Sequence, residues 1–233
     1  MRISAVVPTL DSAGHLPACL HSLAEADEIV IADGGSTDGT QAIARQAGAC
    51  LTETPRGRGS QLAAGAAAAS GEILLFVHSD TRLSPGWSKL ARKHAAGTSR
   101  PACFRLRLDD PAWQARVIDV AVALRTRLLG LPYGDQGLLI RREAYDRSGG
   151  FRPLPLLEDV ELLGRIGRPV MLDADALTSA ERWRRDGWAR RSLRNWACYS
   201  LWRLGVSPAR IQALYDRPRR ASPSPPGRAF PAE

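Results

Sequence analysis

Three acidic clusters, each behind an apolar run, carry the residues of this chain best suited to chemistry. Glu28-Ile29-Val30-Ile31-Ala32 leads into Asp33-Gly34-Gly35-Ser36-Thr37-Asp38-Gly39-Thr40. Glu72-Ile73-Leu74-Leu75-Phe76-Val77 leads into His78-Ser79-Asp80, and Pro155-Leu156-Leu157 leads into Glu158-Asp159-Val160-Glu161. Open α/β sheets bind their ligands in the crevice beyond the carboxyl ends of the strands. Acidic groups delivered there can grip a nucleotide, a metal and a reacting hydroxyl. That combination points to catalysis on an activated, phosphate-bearing donor.

The first cluster follows a strand and opens a helix. Its glycines let the backbone turn sharply and approach a ligand. Asp33 is expected to face the crevice and accept from a base N–H or a ribose hydroxyl. A plain strand-to-helix turn with an Asx cap is the competing reading. The string is no calcium loop, since its acids do not alternate and no Glu closes it, and no Gly-Lys-Ser/Thr makes it a phosphate loop. Further on, Tyr133-Gly134-Asp135-Gln136-Gly137 punctuates a loop with glycine. Asp135 and Gln136 have the polarity an acceptor site needs, and a surface turn explains them equally well. In Glu181-Arg182-Trp183-Arg184-Arg185-Asp186, the Arg182 and Arg185 forks suit a diphosphate.

The elements that must position these groups follow from periodicity. Ile3–Val7, Glu28–Ala32 and Ile73–Val77 are short apolar runs that predict buried strands. Between them, helices are expected over Gly14–Ala24, from Thr37 or Asp38 to Ala47, and over Ser60–Ser70, with a further one opening at Pro85. A short strand is expected over Cys50–Thr54. Strand and helix in alternation predict a parallel sheet with right-handed crossovers. The second half is less regular. Strands are expected at Cys103–Leu108, Gly137–Arg141 and Pro169–Leu172, and helices near Pro111–Leu129, Leu157–Ile166 and Gly187–Leu204. The last of these puts Leu193, Trp196, Ala197, Ser200, Leu201 and Leu204 on one face, as in a helix lying on an anionic bilayer or one docked on a core. From Arg217 onward the composition is Pro-, Arg- and Ser-rich, which predicts disorder.

Bulk composition bounds the rest. The 233 residues are 44% hydrophobic and 24% charged, a soluble globular balance with room for one domain and a tail. The apolar start is closed by Pro8, too short for a signal core, and no run reaches membrane-spanning length. Cys19, Cys50, Cys103 and Cys198 are scattered without a C-x-x-C pair, so bystander thiols of a reducing cytosol are expected. The net charge is +8. Residues 1–180 carry 20 Lys+Arg against 20 Asp+Glu, whereas residues 181–233 carry 12 Arg against 4 acids. Such asymmetry suggests an anionic partner.

Val6-Val7-Pro8-Thr9 followed by Asp33-Gly34-Gly35-Ser36-Thr37-Asp38-Gly39-Thr40 resembles the family 2 glycosyltransferases over residues 3 to about 205. The resemblance implies the GT-A fold, a Rossmann-like α/β, mostly parallel sheet flanked by helices. It divides the chain into a transferase domain, 1–205, carrying a basic C-terminal helix, and a basic tail, 206–233. It implies that Pro8, Thr9, Asp33 and Ser79 line the nucleotide pocket, with Arg58 near the diphosphate. His78-Ser79-Asp80 resembles the family's Asp-x-Asp motif with His in the first place, so that Asp80 and His78 would hold Mg²⁺ or Mn²⁺ against the leaving diphosphate. Glu158-Asp159 matches the acid pair that supplies the general base, assigned to Asp159 with Glu158 beside it; helix N-terminal acids favoured by the macrodipole are the alternative. Asp11-Ser12 stands where the family usually has Asn-Glu, and Gly34 where it often has a second Asp.

The implied reaction moves a sugar from a nucleoside diphosphate sugar to a sugar or lipid-linked acceptor by a single inverting displacement. The implied place is the cytoplasm, peripheral to the inner face of a membrane. The competing class is a basic membrane- or nucleic-acid-binding protein on a silent GT-A fold. Aromatics at 6% and the lack of a nucleic-acid motif argue against a nucleic-acid partner.

Overall fold

The computed structural model describes residues 1–215. Its first half alternates as the apolar runs predict: β1 (Ile3–Thr9), α1 (Leu16–Ser22), β2 (Glu28–Asp33), α2 (Thr40–Gln46), β3 (Cys50–Glu53), α3 (Arg58–Ala68) and β4 (Ile73–Phe76). Then come β5 (Thr81–Leu83), α4 (Trp87–Gly97), β6 (Ala102–Asp109), α5 (Trp113–Leu129) and a 3₁₀ turn over Gly134–Gln136. β7 (Leu138–Arg141), α6 (Arg142–Arg147), α7 (Glu158–Ile166), β8 (Val170–Ser179), α8 (Glu181–Asp186), α9 (Trp188–Arg203) and α10 (Pro208–Tyr215) complete the order.

The eight strands form one sheet in the order β3-β2-β1-β4-β7-β6-β8-β5. The four strands from β3 to β4 are parallel, β7 runs antiparallel to both neighbours, β8 is parallel to β6, and β5 is antiparallel to β8. β1 and β4 are buried on both faces, which is why they read as unbroken apolar runs. Ile3, Ala5, Val7 and Leu75 meet Leu16, Leu23 and Trp87 on one side. Val6, Leu74 and Phe76 meet Leu62, Ala66, Tyr145 and Leu162 on the other.

Several expected boundaries move. β5 has three residues, too few to show a period, and pairs antiparallel with β8 within the mostly parallel sheet. α4 opens at Trp87 behind Gly86, whose φ of 82° ends the preceding turn, and Pro85 lies outside it. β8 runs for ten residues where four were expected. α3 opens at Arg58, two residues early. A side chain at Gly59 would strike the backbone of Arg152 and Leu154, so glycine lets that segment cross the start of α3. The segment read as tail begins with α10, whose Ile211 is fully buried beside Leu157, Val160 and Cys198. The Pro/Arg-rich stretch expected to be disordered lies outside the described residues. Among those described, no helix is long and apolar enough to cross a membrane.

One buried amide ties the strand ends at the crevice. Gln61 Nε2 donates to the carbonyls of Thr9 (2.7 Å) and Ala32 (2.9 Å), linking α3 to β1 and β2. Gln61→Leu keeps the volume and deletes both bonds. It should lower unfolding free energy by about 1–3 kcal/mol in urea titration; an unchanged midpoint would contradict this role.

Candidate active site

The turn after β2 closes on itself. Asp33 is fully buried. Thr9 Oγ1 (2.8 Å) and Ser36 Oγ (2.5 Å) donate to Oδ1, while the Gly35 and Ser36 amides and Gln41 Nε2 donate to Oδ2. Burial pushes its pKa up, but hydrogen bonds from Ser36, Gln41 and Thr9 outweigh it and hold the carboxyl below its ordinary range. Its carboxylate accepts from these five protein donors, which fix the shape of the loop after β2. Pro8, Thr9 and Ser79 do line a cleft at this end of the sheet. Ser79 Oγ donates to Ser12 Oγ at 3.0 Å, joining the ends of β4 and β1.

His78 and Asp80 follow β4. Asp80 has its carboxylate 3.8 Å from Arg182 Nη2, with 12% of the side chain exposed. Burial and the Arg58 charge lower the His78 pKa to about 4, against the pull of Asp80 and Glu158. The imidazole is therefore neutral at ordinary pH and offers a nitrogen lone pair. A β-carbon on Gly134 would collide with that ring, so only glycine allows the 3₁₀ turn to lie against His78.

The same Gly134 donates its N–H to Asp159 Oδ2 at 2.6 Å, and the Val160 N–H donates to Oδ1 at 2.8 Å. Burial first and the neighbouring Glu158 second raise Asp159 to about 6, while Arg58 and the two amides oppose this. Glu158 has no solvent exposure and receives Arg58 through Nε and, at 3.3 Å, Nη2. Both acids open α7 behind Leu157, a non-glycine at φ 63°. Asp135 also enters the site. Burial raises its pKa, and its Oδ1 is buried without a hydrogen-bond partner.

Two predicted contacts fall elsewhere. Gln136 is fully buried, accepts from Thr126 Oγ1 (2.9 Å) and donates to the Phe104 carbonyl (3.0 Å), so it braces the turn against α5 and β6 rather than facing an acceptor. Arg185 is exposed, pairs with Asp186 at 3.0 Å and lines neither cavity.

The remaining groups bound two joined spaces. An outer cleft of about 470 Å³ is lined by Pro8, Thr9, Ser12, Gln61 and Ser79. An inner cavity of about 120 Å³ is lined by Tyr133, Asp135, Asp159, Thr178 and Asn195. Arg58, His78, Asp80 and Arg182 border both. Arg191, Asn195 and Cys198 of α9 also face the inner cavity, and Gln212 of α10 faces the outer one. Sequence reading missed these. The signal was their helical spacing, opposite the apolar face that drew attention. Gly134→Ala should push the imidazole from its place, and the NMR titration of His78 should rise from about 4 towards its ordinary range. An unmoved titration would break the proposed contact.

A glycosyl transferase family 2 model matches residues 4–148. An uncharacterized glycosyltransferase of Mycobacterium tuberculosis is 32% identical over 172 residues, covering 66% of this chain and 77% of that protein. Among solved structures, residues 1–349 of TarS from S. aureus superpose with a TM-score of 0.59 at 21% identity, over 76% of this chain and 60% of that one. Glucosyl-3-phosphoglycerate synthase of Mycobacterium tuberculosis superposes with a TM-score of 0.55 at 21% identity, over 76% and 71%. The two structures share the GT-A fold. With a family match over more than half its length, this chain belongs to glycosyl transferase family 2.

Proposed function

We propose that the outer cleft takes the nucleoside diphosphate of a sugar donor, that the sugar crosses the four-residue border, and that Asp159 activates an acceptor hydroxyl in the inner cavity. The observation that carries this reading is the border itself. Two cations, a neutral imidazole and a carboxylate stand between a cleft of nucleotide size and a small cavity of mixed lining that holds a raised-pKa acid. One neighbour was solved with UDP-GlcNAc, and another with Mn²⁺, UDP and glucosyl-3-phosphoglycerate. These likenesses support a nucleotide-sugar donor.

In the proposed step, the acceptor O–H gives its proton to an Asp159 oxygen while the acceptor oxygen attacks the anomeric carbon. The bond from that carbon to the diphosphate oxygen breaks on the opposite face, inverting the centre. Arg182 and Arg58 sit where the departing charge collects. Gly134 N–H and Glu158–Arg58 hold Asp159 in place. Asp135 is the acceptor-side group, since its buried oxygen lacks a partner.

No three acidic, His or Cys groups among the described residues cluster as a self-sufficient metal site. Asp80 and the neutral His78 fit the smaller donor set of an ion that takes its remaining ligands from phosphates and water. Bound there, Mg²⁺ or Mn²⁺ would neutralise leaving-group charge.

Two outcomes test the reading. Asp159→Asn should lower kcat by roughly 100- to 10,000-fold with donor affinity kept. The wild-type rate should fall with acid below about pH 6, because the raised pKa leaves the carboxylate protonated there; full activity in the variant would remove Asp159 from the role. Separately, calorimetry should show nucleoside diphosphate binding that needs Mn²⁺ and is lost in Asp80→Ala. Metal-independent binding in both proteins would overturn the metal assignment.

A further inference from the structure

Surface helices normally turn polar residues outward, and α5 does the reverse. Its inner face, Ala115, Ile118 and Val122, packs with Leu106, Leu108 and Trp183. Its outer face carries Trp113, Val117, Val120, Leu124 and Leu128, all exposed, with Trp113 at 71% and Leu128 at 67%. The charged residues exposed on this helix are Arg116 and Arg127. Its one acid, Asp119, is buried and accepts from the Leu108 amide.

The pattern repeats on α9. One face, Arg191, Asn195 and Cys198, lines the inner cavity. The other exposes Leu193 (70%) and Trp196, and Leu204 stands 81% exposed just past its end. Arg190 and Arg203 are exposed with them, and neither α9 nor α10 contains an acid. Trp196, Tyr199 and Trp202 follow one another with ring centroids 6.3 Å apart. The two helices flank one loop. Arg125 of α5 lies 3.7 Å over the Tyr133 ring, and Leu131 and Tyr133 pack in the cluster that holds Tyr199 and Trp202.

Exposed apolar rows of this extent mark an interaction surface. Arg116 is paired with Asp119 at 3.3 Å, but a two-fold contact between copies would still gather the exposed Arg127, Arg190 and Arg203 of like charge. An anionic bilayer meets every part of the pattern: Leu and Val enter the acyl boundary, Trp and Tyr sit at the interface, and guanidinium groups reach phosphates. The excess of 12 Arg over 4 acids in residues 181–233 has the matching sign.

We infer that the outward faces of α5 and α9 dock on an anionic phospholipid bilayer. On the proposed transfer reaction, this sets the inner cavity one helix thickness from the headgroups, where a lipid-borne acceptor would arrive.

The test is co-sedimentation of the full chain with phosphatidylcholine vesicles and with 3:1 phosphatidylcholine–phosphatidylglycerol vesicles. The protein should partition onto the anionic vesicles. Leu124→Asp with Leu128→Asp, and separately Leu193→Asp with Trp196→Asp, should each weaken partition by roughly tenfold or more, with unchanged melting temperatures. Replacing Arg217, Arg219, Arg220 and Arg228 by Ser should leave most of the binding, since the helices carry it. No partition, or loss through the tail replacements alone, would overturn the inference. So would a wild-type dimer that the helix variants split, which would make a second copy the occupant. The readout needs no sugar transfer, so failure here leaves the reaction standing, and a failed transfer assay leaves the surface standing.

Discussion

Gathering carboxylates at one end of the sheet is the constraint from which the site follows. Asp80, Asp135, Glu158 and Asp159 approach one another in and beside a cavity of about 120 Å³. Buried like charges repel and lose hydration, so such a group survives only with counter-charge or protonation. Glu158 takes the first solution through Arg58, whereas Asp159 has its pKa raised to about 6 and, once ionised, is held by the Gly134 and Val160 amides. The Arg58–Glu158 pair therefore joins the two halves of the chain, with the start of α3 on one side and the start of α7 on the other. Gly59 serves the same end by letting residues 152–154 cross close to α3 just before α7 begins.

From that pair, support passes through small contacts. Asp159 holds the Gly134 amide, Gly134 lies against His78, and His78 stands beside Asp80 at the end of β4. Gln136, one turn further, anchors the same segment to β6 and α5. The polar floor of the cavity is thus braced by groups that never face a ligand. α9 closes the opposite side with one face and turns the other outward, so one helix links the reaction space to the surface.

The strands were legible where burial on both faces leaves an unbroken apolar run, as in β1 and β4. β5 was not, because three residues carry no period and its place depends on β8. The His78–Asp80 cluster was legible because it directly follows such a run, whereas Glu158 and Asp159 follow the loop 151–157 and open α7. Whether a given side chain meets ligand or protein was not legible. Asp33 and Gln136 have the right chemistry for a ligand, and local donors and acceptors also engage them. Arg191 and Asn195 were hidden for the opposite reason. α9 was read for its apolar face, and its polar face is the one that lines the cavity.

The most direct test of the two-space account is a crystal structure of the wild-type chain with UDP or GDP and Mn²⁺. The account predicts the nucleoside against Pro8 and Thr9 in the outer cleft. It predicts the diphosphate at Arg58, His78, Asp80 and Arg182, with its sugar-bearing end open towards Asp159. A diphosphate seated in the inner cavity, or a nucleotide bound away from this border, would contradict it.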